Sequence, residues 1–66
     1  MTDAALAGAL SHAKALESEA RRVFASSRDE SERDAALVVV RHVTATRKSL
    51  ETWIGIRAMR AALQSR

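Results

Sequence analysis

The second half of the chain carries apolar residues on two opposite sides of a single predicted helix. At about 100° per residue, they separate into a first stripe and a second stripe that lie on opposite lines along the helix. The first stripe consists of Ala36, Val40, Val43, Leu50, Ile54 and Ala61, and the second of Val38, Ala45, Ile56, Met59 and Leu63. A helix in a two-helix protein needs to bury only one stripe. The other stripe therefore predicts a surface that binds another protein.

The chain is short and has no covalent or metal-based means of stabilisation. It has 66 residues and no cysteine, and domains of this size bury only about 60% of their unfolded surface. Disulfides and thiolate metal sites are excluded, and His12 and His42 alone do not make a structural zinc site. We therefore expect no metal and no cofactor. Self-association or a protein partner is the remaining way to stabilise such a chain.

A first helix is predicted over about residues 3–25. Apolar residues recur there at spacings of three and four, which is the pattern of a coiled-coil seam. The predicted seam consists of Leu6, Ala9, Ala13, Leu16, Ala20 and Val23, with Leu10 and Phe24 beside it. Thr2 or Asp3 is a suitable N-cap for this helix.

The seam is interrupted by a polar stretch over residues 26–34, which contains no apolar residue. Ser27 and Ser31 each begin a pattern of the capping-box type, so we place a turn over about residues 26–31 and a second helix over about residues 30–64. One unbroken helix is the alternative, because the stretch contains neither glycine nor proline. The hairpin is favoured, because a continuous helix would have nothing to pack in this stretch.

These observations predict an all-α protein, a two-helix antiparallel hairpin with packing like that of a coiled coil. At 1.5 Å per residue, the second helix is about 15 Å longer than the first, so its C-terminal end is expected to extend beyond the hairpin. The predicted core joins Leu6, Leu10, Ala13, Leu16, Ala20, Val23 and Phe24 of the first helix to Val40, Val43, Leu50 and Ile54 of the second.

The sequence contains no recognisable catalytic motif. It has no phosphate-binding glycine loop, no HExxH motif and no cysteine nucleophile. The acidic residues of the polar stretch lack the central glycine and the ligand spacing of a calcium loop. We therefore expect no catalytic residue and no enzymatic activity.

Charge and hydropathy bear on the environment of the protein. The net charge is +3, and residues 35–66 carry six basic residues and one acidic residue. The bases are spread around the predicted helix, which favours a solvated surface over a nucleic-acid site. The longest apolar run, Ala35–Val40, is far shorter than the ~20 residues that span a bilayer. The N-terminus lacks the features of a secretory signal, so we expect a cytoplasmic protein without a membrane span.

The second stripe is the predicted partner-binding surface. Trp53 lies at its edge and also beside the first stripe, so it is either a core residue or an interface anchor, a role in which tryptophan is enriched. We define the partner face as Val38, Ala45, Trp53, Ile56, Met59 and Leu63. Low stability or self-association is expected when the chain is isolated, because this face then has no partner.

One segment resembles a known family. Residues Lys48 to Ile56 read Lys-Ser-Leu-Glu-Thr-Trp-Ile-Gly-Ile. This is similar to the basic-x-Leu-Glu-x-x-(Ile/Leu)-x-Ile stretch near the end of the YscE/PscE family, the small cytoplasmic co-chaperones of type III secretion needle subunits. The length, the Met-Thr start, the Ala/Leu-rich first helix and the polar turn are also similar. Trp53 and the arginine-rich C-terminus depart from the family pattern.

The resemblance implies a specific function. Members of that family fold as helical hairpins and bind a TPR-like chaperone, which holds the needle subunit in its concave groove and prevents its polymerisation in the cytoplasm. The hairpin stabilises that chaperone and has no catalytic role. If the resemblance holds, the chain belongs to protein transport in a virulence-associated secretion system.

Two other functions remain open on the sequence. One is a nucleic-acid-binding hairpin dimer, which the high isoelectric point of about 10.6 favours. The scarcity of aromatic residues weighs against it, because stacking on aromatic side chains commonly holds single-stranded bases. The other is a purely self-associating structural subunit, for which the surplus apolar surface is equally suitable.

Overall fold

The computed structural model describes residues 1–65, which form two α-helices. Helix α1 comprises Asp3–Ser26, and helix α2 comprises Glu30–Gln64. The helices pack against each other along their lengths as an antiparallel hairpin, so the prediction of an all-α helical hairpin is confirmed. The molecule is elongated, with Cα extents of 56 × 16 × 15 Å. Neither helix is long and apolar enough to cross a bilayer within the described residues.

Local hydrogen bonds fix both ends of α1. The Thr2 hydroxyl accepts a hydrogen bond from the Ala5 amide at 3.0 Å, so Thr2 is the N-cap. At the other end, the Ser27 amide donates to the Val23 carbonyl at 2.9 Å. The Ser26 hydroxyl donates to the Arg22 carbonyl at 2.9 Å. These bonds satisfy backbone groups that a helix terminus otherwise leaves to water.

The connection between the helices consists of residues 27–29, which is tighter than the predicted turn. Asp29 caps α2, because its carboxylate accepts a hydrogen bond from the Ser31 amide at 2.9 Å. The predicted capping roles of Ser27 and Ser31 are therefore wrong. The Ser27 hydroxyl instead braces the turn by accepting from the Asp29 amide at 3.3 Å. Asp29 carries a charge that also favours the N-terminal end of the helix dipole.

The core of the hairpin is narrow and consists mostly of small side chains. The buried residues are Leu6, Ala13 and Ala20 of α1 with Ala36 and Val43 of α2. Half-buried residues beside them include Leu10, Phe24, Val40, Leu50 and Ile54. Alanines facing each other let two helices approach closely, but they remove little apolar area from water. Leu6 is the only large side chain of the described residues that is almost completely buried, at 1% exposure.

Two residues of the predicted core lie at the surface. Leu16 is 52% exposed and Val23 is 47% exposed, so the expectation that they pack against α2 is wrong. The seam that faces α2 instead runs Leu6, Leu10, Ala13, Glu17, Ala20, Phe24 and Ser27, all buried or half-buried. Its spacings alternate strictly between four and three, as in a coiled coil. The rotation brings the large Phe24 ring toward α2 and turns Leu16 and Val23 outward.

Helix α2 has 35 residues and α1 has 24, a difference of about 16 Å at 1.5 Å per residue, close to the expected difference of about 15 Å. The Arg57 guanidinium contacts the Asp3 carboxylate at 3.0 Å, which places the start of α1 beside Arg57. Ala58 and Ala61 still line a groove with Asp3 and Leu6, so only the last residues of α2 extend beyond the paired part of the hairpin.

Candidate protein-binding surfaces

The partner face lies on the side of α2 that points away from α1. Its apolar side chains are exposed, with Val38 at 52%, Met59 at 63% and Leu63 at 60%. Ala45 and Ile56 are also exposed. Met59 lies at the height of the start of α1, and Leu63 lies near the C-terminal end of α2. The structure thus places the six predicted residues on one accessible surface of one helix.

Trp53 is held at the edge of this surface by a neighbouring charge. The guanidinium of Arg57 lies 5.6 Å from the centre of the Trp53 ring, within the range of a cation–π contact. The same guanidinium binds Asp3, so Arg57 connects the indole ring to the N-terminus of α1. The indole remains 41% exposed. It is therefore an ordered aromatic surface that a partner can bury.

A second apolar surface lies on one lateral side of the hairpin, where sequence reasoning placed core. An open groove of about 240 Å³ runs between the helices and is lined by Leu16, Glu19, Ala20, Val23, Ala36 and Val39. Leu16, Val23 and Val39 are the exposed large side chains of this groove. One sequence feature indicates this surface: Leu16 and Val23 are seven residues apart, so they lie on one line along α1.

A polar cluster crosses the middle of the hairpin. The Thr44 hydroxyl donates a hydrogen bond of 2.6 Å to the Glu17 carboxylate. The Nε of Arg47 donates to both carboxylate oxygens of Glu17, at 3.1 and 3.2 Å. Arg47 also binds Glu51 at 2.9 Å, and Arg21 lies 3.6 Å from Glu17. Sequence reasoning missed Glu17, because its partners are on the other helix.

The polar cluster shifts the ionisation of its two central groups. The hydrogen bond from Thr44 lowers the pKa of the Glu17 carboxyl, and Arg47 acts in the same direction, while partial burial opposes both. The Glu17 side chain is only 14% exposed. The hydrogen bond to Glu51 raises the pKa of Arg47, and the bond to Glu17 adds to this effect. Both groups therefore remain charged near neutral pH, as their pairing requires.

Neither histidine belongs to a site with recognisable chemistry. His12 and His42 are exposed, and Nδ1 of His42 lies 2.8 Å from the Val38 carbonyl, within its own helix. Residues 1–65 contain no group of three histidine, cysteine or acidic side chains arranged to hold a metal ion. A groove of about 240 Å³ at the open end of the hairpin, beside Leu6 and Ile54, is smaller than the ~300–1,000 Å³ typical of cofactor sites.

Several basic side chains are paired with acidic ones on the same molecule. Arg47 and Arg57 make ion pairs between the helices, and Arg21 and Arg22 pair with Glu17 and Glu19 within α1. Such pairing reduces the positive charge that these arginines offer to a phosphate backbone. The arrangement is typical of a structural hairpin surface rather than a concentrated basic stripe.

Fold and surface together define an all-α helical hairpin with apolar side chains exposed on two sides. Comparisons of the chain with protein-family models, with curated proteins and with solved structures found no match.

Proposed function

We propose that this protein is a small cytoplasmic co-chaperone that binds and stabilises a TPR-like chaperone. That chaperone would hold the needle subunit of a type III secretion system and keep it unpolymerised. The observation that carries the proposal is the exposed apolar partner face on the outer side of α2. A side of a helix that its own hairpin does not cover is suited to a binding role.

The shape of the partner face fits recognition by a concave groove. Ile56, Met59 and Leu63 follow one another at spacings of three and four along α2. This is the spacing by which an amphipathic helix inserts its apolar side into a groove. TPR-like proteins are helical solenoids, and their stacked repeats form concave surfaces of this kind. Met59 and Leu63 are exposed on the side of α2 away from α1, so they can enter such a groove without a clash from the other helix.

The segment from Lys48 to Ile56 supports the particular partner. Its similarity to the YscE/PscE family covers nine residues, and two of them, Trp53 and Ile56, belong to the partner face. The two-helix hairpin is also the fold that the resemblance implies. A nucleic-acid-binding role has less support, because four arginines are paired with acids and the sequence has only one Trp and one Phe.

The proposal is tested by placing a charge in the centre of the partner face. Ile56→Asp would put an unpaired carboxylate into a buried apolar interface, which costs far more than a surface substitution. The variant is co-expressed with the TPR-like chaperone of a type III secretion system and its needle subunit, and the complex is isolated through a tag on the chaperone. We expect loss of the hairpin from the complex.

A matched control adds the same charge elsewhere. Ala15 is exposed on the outer side of α1, so Ala15→Asp should leave binding unchanged. Circular dichroism must show that both variants remain helical. Retention of Ile56→Asp in the complex would refute the partner face, and so would unfolding of this variant, because the residue would then belong to the core. Failure of the unaltered chain to bind would refute the proposed function itself.

A further inference from the structure

The lateral side of the hairpin carries a regular apolar pattern that the partner face does not include, apart from Trp53. On each helix, three residues follow one another at intervals of seven, so they lie on one line along the helix. We define the lateral face as Ala9, Leu16 and Val23 of α1 with Val39, Thr46 and Trp53 of α2. Leu16, Val23, Val39 and Trp53 are exposed. The groove between Leu16, Val23 and Val39 is the central part of this face.

The polar cluster shows which residues of the two helices lie at the same height. Glu17 of α1 bonds to both Thr44 and Arg47 of α2. Its neighbour Leu16 therefore lies near the height of residues 44–47, which include Thr46. Leu16 and Thr46 are the middle residues of their two series, so the lateral face has its centre at that height. Its two ends are equidistant from this centre along the hairpin.

This arrangement is self-complementary under one two-fold rotation. The axis lies in the plane between the two lateral faces. It is perpendicular to the helices and is level with Leu16. Two copies related in this way run in opposite directions, and Leu16 of each copy meets Leu16 of the other. The small Ala9 then meets the larger Val23 of the second copy, and Val39 meets the large Trp53. Such an isologous contact closes after two subunits.

The charges along the hairpin favour the same orientation. Residues 26–34 at the turn contain four acids and two bases, whereas Arg57 and Arg60 lie toward the open end. In the antiparallel orientation, Glu32 of one copy faces Arg60 of the other, because both are fourteen residues from Thr46. The opposite orientation would bring two acidic turns together, and like charges at close range weaken association.

The available area is sufficient for a stable dimer. With Cα extents of 56 Å by 16 Å, one lateral face can bury on the order of 800 Å² per copy, which is the size of a standard specific interface. The hairpin alone buries few large side chains, so burial of Leu16, Val23 and Trp53 would add substantially to its apolar core.

We propose that two copies of this chain associate through their lateral faces as an antiparallel four-helix bundle. This goes beyond the proposed function, because the contact uses a second side of the hairpin. The partner faces remain on the outside of the bundle, apart from Trp53. The chain therefore has one surface for its own second copy and another for a different protein.

The test uses two substitutions at residues of equal exposure. Leu16 and Val38 are both 52% exposed, but Leu16 lies at the centre of the lateral face and Val38 on the partner face. Sedimentation equilibrium of the full chain should show a dimer for the unaltered protein and for Val38→Lys. Leu16→Lys should weaken the dimer at least tenfold, because two lysines would meet at the axis, and circular dichroism should show that it stays helical.

The opposite results would overturn the proposal. These are an unaltered chain that stays monomeric at all concentrations, and a Leu16→Lys variant that is still dimeric. If Leu16→Lys is unfolded, Glu32→Arg and Arg60→Glu replace it, since both residues are exposed. Each single reversal should weaken the dimer and the double reversal should restore it. The absence of restoration would refute the antiparallel pairing.

Disulfide cross-linking tests the relative orientation of the two copies. The chain contains no cysteine, so a single cysteine reports one position only. Leu16→Cys should form a disulfide between two copies on mild oxidation, because Leu16 lies at the proposed axis. Val38→Cys is the matched control and should remain reduced. Cross-linking of Val38→Cys but not of Leu16→Cys would show that the partner face joins the copies, and would refute the lateral contact. Failure of the unaltered chain to bind the chaperone, with the dimer intact, would refute only the proposed function.

Discussion

At the scale of single residues, Glu17 is the most unusual member of the hairpin seam. A carboxylate in a position that coiled coils fill with apolar side chains loses contact with water. Here the Thr44 hydroxyl and the Arg47 guanidinium compensate for that loss. Glu17 finds its partners on α2 in only one alignment of the two helices. Any shifted alignment would leave its carboxylate unpaired and is therefore disfavoured. Glu17 therefore specifies the register of the hairpin.

The pairing of Glu17 predicts a pH dependence of stability. Its pKa is lowered in the folded protein from an ordinary value of 4.5. Its stabilising contribution is therefore fully present above about pH 4.5 and is lost as the pH falls through the lower pKa of the folded state. The melting temperature should fall between about pH 5 and pH 3 by more in the unaltered chain than in Glu17→Gln.

The control for this pH dependence is an exposed carboxylate on the same helix. Glu19 pairs only with Arg22 at the surface, and exposed ion pairs contribute little. Glu19→Gln should therefore preserve the acid sensitivity of the unaltered chain. Equal slopes for the unaltered chain and Glu17→Gln would show that Glu17 does not couple folding to pH.

A pair of leucine truncations distinguishes the buried seam from the lateral face. Leu6 is 1% exposed and Leu16 is 52% exposed. Leu6→Ala should lower the free energy of unfolding by about 2–5 kcal/mol, because it leaves a cavity between the helices. Leu16→Ala should cost less than about 1 kcal/mol at concentrations where the chain is monomeric. Urea denaturation measures both, and a larger cost for Leu16→Ala would restore the original core assignment.

At the scale of the helices, the sequence predicts the hairpin well and its rotation poorly. The polar stretch and the two apolar patterns correctly indicate two helices. Leu6, Ala13 and Ala20 belong to both the predicted and the observed seam, so they do not decide between the two rotations. The two rotations of α1 differ in whether Glu17 or Leu16 faces α2. A prediction based on hydrophobicity places the leucine, not the glutamate, against the other helix. The partners that make Glu17 acceptable become visible only when both helices are considered together.

The same reasoning explains which surface was recognised from the sequence. The partner face is a property of one helix, and its apolar line is readable from α2 alone. The lateral face combines residues of both helices, so it depends on the rotation of α1 against α2. A prediction that places Leu16 and Val23 in the core excludes them from any predicted surface. Reading each helix separately therefore finds the first surface and misses the second.

Substitution of Gly55 tests how much the helix propensity of α2 contributes to the stability of the hairpin. Gly55 lies in the interior of the helix, and a Cβ atom added there would meet nothing within 4 Å. Gly55→Ala should raise the free energy of unfolding by about 1 kcal/mol, because alanine loses less backbone entropy in a helix. Urea denaturation measures the change. Gly8→Ala in α1 is the matched control with equally open surroundings. A loss of stability in Gly55→Ala alone would reveal a close contact at that position.

At the scale of the whole molecule, the hairpin is long, thin and poor in large buried side chains. Its stability therefore depends strongly on what covers its two apolar surfaces. Binding of any partner to the folded form raises the apparent stability by mass action.

The three-residue connection between the helices has a kinetic consequence. Residues nearest the turn are close in sequence, so their contacts form with little loop-closure entropy, and pairing can proceed from the turn toward the open end. Helical proteins dominated by such local contacts fold within microseconds to milliseconds. The hairpin is therefore expected to be complete soon after synthesis, before it meets a partner. A protein that binds this surface would then meet a preformed helix and would not have to supply the entropy of ordering a chain.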